Sequence, residues 1–246
     1  MAAPLAHRVA IVTGGGTGIG RAIALAFAEQ GADVAINYSR SREDAERTAG
    51  QVRELGRHGV AVRADVSNAR QADEMVEGVV RDWGRLDVLV NNAGTTSFVD
   101  HKDLDGLTDE VWDRILAVNV KGTFFCSRAA AHVMTDGRII NIGSVAGVRG
   151  TGSSIAYAAS KGAVHTMTLS LARALAPRIT VNTIAPGLID TRWHLGRETQ
   201  SAKAVESIPV RRIGRPEDIA HIAVALATSD TFLTGQIIVV DGGVLL

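Results

Sequence analysis

The sequence is short of cysteine, of net charge and of long apolar runs, and each shortage excludes something. One cysteine, Cys126, in 246 residues rules out an intrachain disulfide and any cysteine-rich zinc site. Twenty-six Lys and Arg balance 26 Asp and Glu, so no net charge draws the chain to nucleic acid or to an anionic membrane. The longest stretches without Asp, Glu, Lys or Arg, residues 9–20 and 88–99, are 12 residues each. A membrane span needs roughly 18 or more. The opening residues 1–8 hold no charged segment followed by an apolar run, so a secretory signal is not expected and a cytoplasmic setting is. The seven histidines show no ligand spacing, and no transition-metal site is expected. No G-x-S-x-G nucleophile turn and no G-x-x-x-x-G-K-[ST] loop occurs; Gly20 is followed by Arg21 and Ala22.

What is present is ordinary globular material, 46% hydrophobic and 21% charged, enough for a sizeable core. Short apolar, β-branched runs at 8–13, 33–37, 60–64, 86–91, 138–143, 179–185 and 236–240 predict strands. Most are continuously apolar, as in parallel strands covered on both faces. Amphipathic patterns near 18–30, 41–56, 67–83, 109–134, 155–176 and 215–229 predict helices between them. Gly31, Gly56 and Gly84 stand where helix C-caps fall, and Ser67 and Asp109 are candidate N-caps. Helices between nearly every strand pair imply right-handed βαβ units, hence a single doubly wound α/β domain over 1–246 with a seven-stranded parallel sheet. The irregular stretches 92–107, 144–154 and 186–214 follow strand ends and should rim one crevice.

The first strand runs into Thr13-Gly14-Gly15-Gly16-Thr17-Gly18-Ile19-Gly20 and then a helix. Glycines let the backbone turn sharply, and the free N–H groups of the helix start attract a diphosphate. The second strand ends in Asn37-Tyr38-Ser39-Arg40-Ser41. No carboxylate stands there to hold a ribose 2′-hydroxyl, and Arg40 offers charge-assisted hydrogen bonds to a 2′-phosphate, worth roughly 1.5–3 kcal/mol. NADP(H) is therefore favoured over NAD(H). Tyr157 and Lys161 share a helix face at i and i+4, and Ser144 follows the fifth predicted strand, 13 residues ahead of Tyr157.

With these motifs in view, the chain resembles the short-chain dehydrogenase/reductase family over nearly its full length, in the style of 3-oxoacyl-carrier-protein reductases. The resemblance implies a Rossmann-type fold with helices on both faces and a catalytic set of Asn119, Ser144, Tyr157 and Lys161. Tyr157 would donate the proton to a carbonyl oxygen as hydride arrives, its pKa lowered by the Lys161 ammonium and the positive ring of the oxidised nicotinamide; Lys161 would also hold the nicotinamide ribose. Ser144 would bind the substrate oxygen, and Asn119 would position a water linking Lys161 to solvent. It further implies cofactor contacts from Gly14, Thr17, Gly18, Ile19 and Gly20; from Ser39, Arg40 and Ser41; from Asp65 and Val66 at the adenine; from Asn91, Ala93 and Gly94; and from Pro186, Gly187, Ile189 and Thr191.

The substrate expected is a small carbonyl or alcohol, free or carrier-bound, with Arg128 and Arg173 able to meet an acidic carrier. The family commonly forms tetramers through the helices at 109–134 and 155–176 and the last strand, and the apolar Val244-Leu245-Leu246 end suits a subunit contact. Oxidation of a secondary alcohol, sterol or sugar is the second reading, and a non-catalytic nucleotide-binding regulator the third. Trp193, His194 and Leu195 stand in a stretch that could form a lid over the substrate. Cys126 reads as core.

Overall fold

A computed structural model describes residues 3–194, 205–228 and 232–246. Seven strands form one parallel sheet: β1 (Val9–Val12), β2 (Asp33–Tyr38), β3 (Gly59–Arg63), β4 (Val88–Asn91), β5 (Gly137–Ile142), β6 (Ile179–Pro186) and β7 (Ile237–Val240). Their order is β3-β2-β1-β4-β5-β6-β7. The order reverses at β1, so a crevice opens between the carboxyl ends of β1 and β4. β1 and β4 are buried along their whole length, as continuously apolar runs predict; β3, at the edge, is only partly covered.

The helices are α1 (Gly18–Glu29), α2 (Arg42–Glu54), α3 (Ala69–Trp83), α4 (Asp109–Leu116), α5 (Thr123–Val133), α6 (Ala146–Arg149), α7 (Ile155–Leu175) and α8 (Pro216–Thr228). One core lies under α1, α2 and α8, where Ile23 and Phe27 meet Val12, Val34 and Ile219. The other lies under α3, α5 and the outer part of α7, where Met75 and Cys126 meet Ile11, Leu89 and Ile139. Cys126 is core, as expected, and burial pushes its thiol up to about 12. Among the described residues no helix is long and apolar enough to cross a membrane.

Gly31, Gly56 and Gly84 take positive φ at or just beyond their helix ends, as their C-terminal positions require. Two caps differ from expectation by one residue. Asn68, not Ser67, caps α3, its side chain accepting from Gln71 N at 3.1 Å. Thr108, not Asp109, stands at the N-cap of α4, leaving Asp109 and Glu110 in the first turn, where carboxylates favour the helix dipole. The helix expected over 109–134 is interrupted: residues Ala117–Gly122 form a π-helical turn between α4 and α5.

Candidate active site

The turn after β1 is held open from beneath by side chains at neighbouring strand ends. Thr13 Oγ1 donates to Val90 O at 3.2 Å and accepts from the backbone N–H groups of Asn92 and Ala93 at 2.9 and 3.0 Å. Asn92 Nδ2 donates to the carbonyls of Thr13 and Gly14 at 2.9 and 3.1 Å. Asn37 Oδ1 accepts from Gly14 N at 3.3 Å while its Nδ2 donates to Ala64 O at 3.0 Å. The glycines face a cleft of about 1130 Å³ along the carboxyl ends of the strands. Gly18 has φ +52, and a Cβ there would press on Thr191 from across the cleft. Thr17 precedes α1 with no side-chain cap bond, so the first N–H groups of α1 are open to an anion. This uncapped helix end over a glycine floor fits a dinucleotide diphosphate.

Of the site residues expected from sequence, all but three line this cleft. The exceptions are Gly20, Asn91 and Asn119, and each has a structural task. Gly20 packs inside the turn, where a Cβ would strike Asn92 Nδ2. Asn91 is 4% exposed and lies beneath the floor, donating to Ser127 Oγ at 2.9 Å and Asn141 Oδ1 at 2.8 Å. That ladder continues from Asn141 to Thr168 and on to Thr183, tying β4, β5 and β6 together. The Asn91 side chain thus serves the sheet, while Asn92, one residue on, lines the cleft.

Asn119 is also buried. Its Oδ1 accepts from Thr95 N at 2.8 Å, and its Nδ2 donates to Thr95 O at 3.0 Å and Ser160 Oγ at 2.9 Å. The Asn119 side chain thereby fastens Thr95 to α7. The π-turn aims it there.

At the adenine end, Asp65 lines the cleft while its Oδ1 accepts from Ser67 N and Oγ at 3.0 and 2.7 Å, so it also shapes the entry to α3. Ser39, Arg40 and Ser41 form the exposed mouth beyond β2, and Arg40 makes no ion pair among the described residues. Sequence reasoning missed one carboxylate of α2. Asp44, in the first turn of α2, takes a two-point ion pair from Arg192 at 2.7 and 2.8 Å. Arg192, then Arg47, hold its carboxyl below the usual range. Arg192 comes from the 3-10 turn Arg192–His194 after β6, so this pair ties the start of α2 to a wall of the cleft. A pairing 148 residues apart leaves no trace in local pattern.

At the other end, Tyr157 and Lys161 both face the cleft from α7. Ser154 caps that helix, its hydroxyl accepting from Tyr157 N at 3.2 Å. Lys161 Nζ lies 5.8 Å from the centre of the Tyr157 ring and donates to Ile142 O at 2.7 Å. Burial pushes the Tyr157 phenol up to about 12, against the pull of its hydrogen bond with Ser144. Burial also brings Lys161 down to about 8. For the chain by itself, burial leaves each group favouring its neutral form. Ser144 N donates to His165 Nε2 at 3.5 Å, one helical turn beyond Lys161. The His165 ring backs the Gly143–Ser144 turn so closely that a Cβ at Gly143 would strike it, and burial, then Lys161, holds His165 below its ordinary value.

Trp193 is the other residue at this end. Its ring meets Tyr157 edge-on, centres 5.9 Å apart at 71°. Leu195, the end of the expected lid, lies outside the described residues.

A glycine turn at a helix start and a Tyr–Lys pair beside a strand-end serine thus share one cleft. Residues 14–245 match the family described as enoyl-(acyl carrier protein) reductase. The chain is a short-chain dehydrogenase/reductase. It is 42% identical over 241 residues to a protein named ketoacyl reductase 2 of the granaticin polyketide synthase of Streptomyces violaceoruber, covering 96% of this chain and 95% of that one. It is 40% identical over 241 residues to the 3-oxoacyl-[acyl-carrier-protein] reductase FabG of Staphylococcus aureus, covering 95% and 96%. Among solved structures, a short-chain dehydrogenase from Burkholderia cenocepacia in complex with NADP superposes with a TM-score of 0.92 at 35% identity, covering 99% of this chain and 100% of that one. As a member of this family the protein is an oxidoreductase.

Proposed function

We propose that this short-chain dehydrogenase/reductase reduces the carbonyl of a small molecule to a secondary alcohol with NADPH as hydride donor. The observation that carries the reading is the convergence of Ser144, Tyr157 and Lys161 on the same cleft as the Gly14–Gly18 turn. Gly14, Thr17, Gly18 and Ile19 would hold the diphosphate, Asp65 and Val66 the adenine, and Arg40 with Ser39 and Ser41 a 2′-phosphate. Lys161 and Thr191 would hold the nicotinamide half. When bound there, NADPH supplies a hydride to the carbonyl carbon.

The chain supplies the rest. The Ser144 and Tyr157 hydroxyls donate to the substrate oxygen and fix its carbon toward the cofactor side. A phenol near 12 is protonated at neutral pH, so Tyr157 is loaded as an acid. As charge grows on the oxygen, Tyr157 gives up its proton, and the nearby Lys161 ammonium offsets the phenolate left behind. Solvent then restores the Tyr157 proton. The reverse sequence oxidises an alcohol, so direction follows the cofactor ratio.

The preference for NADPH over NADH rests on Arg40 and on the tying up of Asp44, a carboxylate in the first turn of α2, by Arg192 and Arg47. Carrier docking has less support. Arg128 is held by Asp73 at 2.8 and 2.9 Å and lies 5.6 Å over the Phe125 ring. An acidic carrier would have to displace Asp73, leaving Arg173 as the available cation of the two.

Half-exposed Phe124 on α5 and Leu169 on α7, with the exposed Leu246, support self-association as a tetramer, and sedimentation returning a 26 kDa species would end that part of the proposal. A cytoplasmic location belongs to the same reading. The decisive assay is NADPH oxidation with small ketones and 3-oxoacyl thioesters. Turnover of a ketone, slowed at least tenfold with NADH, is the expected result; no turnover of any carbonyl would overturn the reading.

A further inference from the structure

Helix α7 carries Tyr157, Lys161 and His165 at i, i+4 and i+8, so the imidazole shares a helix face with the two groups that line the cleft. His165 itself does not line it. The ring stands behind the Gly143–Ser144 turn and is 6% exposed. An imidazole buried away from substrate and cofactor calls for a reason.

The end of β5 supplies one. Toward β6 the ladder continues past the strand: Gly143 N donates to Ile184 O at 2.7 Å and Val145 N to Pro186 O at 3.0 Å. Toward β4 it stops early, at the pair Asn91 and Asn141. Ile142 O and Ser144 N lie beyond that stop, and α7 provides a partner for each. Lys161 Nζ donates to Ile142 O at 2.7 Å, and His165 Nε2 accepts from Ser144 N at 3.5 Å. A donor and an acceptor one helical turn apart thus complete one strand end.

The fit is steric as well. A Cβ on Gly143 would strike the His165 ring and Thr183, and a Cβ on Gly147 would strike the main chain of α7 at Lys161 and Gly162. These two glycines flank Ser144, and α7 therefore presses directly on its turn. Within the turn Ser144 Oγ accepts from Ala146 N at 3.1 Å, which leaves the hydroxyl proton to point into the cleft. The direction of that proton follows the main chain of residues 143–146.

We infer that His165 is a positioning residue: its neutral ring, protonated on Nδ1, holds the Ser144 main chain where the Ser144 hydroxyl meets the substrate oxygen. The inference rests on the carbonyl-reductase reading and adds to it a residue outside the cleft. A ring that accepts at Nε2 carries its one proton on Nδ1. Burial, then the Lys161 ammonium one turn away, disfavours a second ring proton. A side chain of similar length without an acceptor fills the space but leaves Ser144 N unpaired and the turn free to tilt.

The test is a double-mutant cycle with NADPH and the ketone that the protein reduces fastest. His165→Met should lower kcat by about tenfold and leave the NADPH dissociation constant within twofold. His165→Gln, whose Oε1 restores an acceptor near the place of Nε2, should stay within about threefold of the wild type. Ser144→Ala alone should cost about 10²-fold, and adding His165→Met to it should cost less than twofold more. In nitrogen-15 spectra of the ligand-free protein at pH 7, the imidazole that vanishes in His165→Gln should be the Nδ1–H form. That signal and the His165→Gln rate decide the matter even where His165→Met does not fold. An equal loss from His165→Met with and without Ser144, no recovery in His165→Gln, or an Nε2–H signal for His165 would each overturn the assignment. Failure to reduce any ketone would instead overturn the reductase reading, and this assignment with it.

Discussion

Around the turn after β1, the chain meets the cleft with glycines, main-chain N–H groups and a bare helix start; around the turn after β5 and along α7, it meets the cleft with side chains. The first region is braced from below by Thr13, Asn37 and Asn92, all hydrogen-bonded to main chain. The second holds Lys161 buried and Tyr157 half-buried, in a setting that pushes both toward neutrality. The contrast shows two ways of preparing for a ligand. One presents fixed dipoles that a charged diphosphate can use at once. The other holds a proton where it will be needed and accepts a stability cost for doing so.

The sharpest way to separate the two regions is Tyr157→Phe. It should lower kcat for ketone reduction by about 10²–10⁴-fold, the usual worth of a positioned acid, and leave the NADPH dissociation constant within twofold. Wild-type turnover in that variant would place the chemistry elsewhere. Arg40→Ala should do the opposite. The NADPH constant should weaken by about 10- to 100-fold and NADH binding should hardly change, measured by fluorescence titration.

A pH series addresses Lys161. Ketone reduction should be level below about 8 and fall roughly tenfold per unit above it, as the ammonium loses its proton. Stability should move the other way. Because the folded chain holds that proton less tightly than the unfolded one, folding gains stability as pH rises from about 8 toward the ordinary lysine value. Tyr157, raised to about 12, reverses this trend above its ordinary value of 10. Lys161→Met should therefore be inactive yet melt about 2–6 °C higher at neutral pH, in line with relief of about 1–2 kcal/mol. A lower melting temperature would mean that the bond to Ile142 O outweighs the burial.

The smallest effect concerns the bridge between the regions. The Asp44–Arg192 pair is largely exposed on the arginine side, so Arg192→Met should speed NADPH release only about two- to fivefold by stopped-flow fluorescence. Added salt should speed release from the wild type more than from the variant.

Much of this was legible in the chain. Most strands are runs of largely apolar residues, and strands alternating with helices leave little freedom of topology. The glycine turn and the Tyr–Lys spacing point to the right cleft. What the sequence concealed is of three kinds. Asn91 and Asn92 are adjacent, and in a strand covered on both faces no pattern says which one stays beneath the sheet's end. The mutual burial of Tyr157 and Lys161 depends on how deep α7 sits, which i, i+4 spacing does not encode. The Asp44–Arg192 pair joins distant segments through tertiary structure alone.

The π-helical turn at Ala117–Gly122 deserves its own reckoning in residues. Each residue of a regular helix turns the chain by about 100°. A wider turn holds one residue more than the α-helical path needs, so removing any one of these six would let the stretch relax into continuous helix. Asn119 would then swing off Thr95 and Ser160, and Ser127 would leave Asn91. A single-codon deletion here would disturb both the rim of the cleft and the ladder beneath it, whereas the same deletion among the exposed residues 102–105 would touch neither.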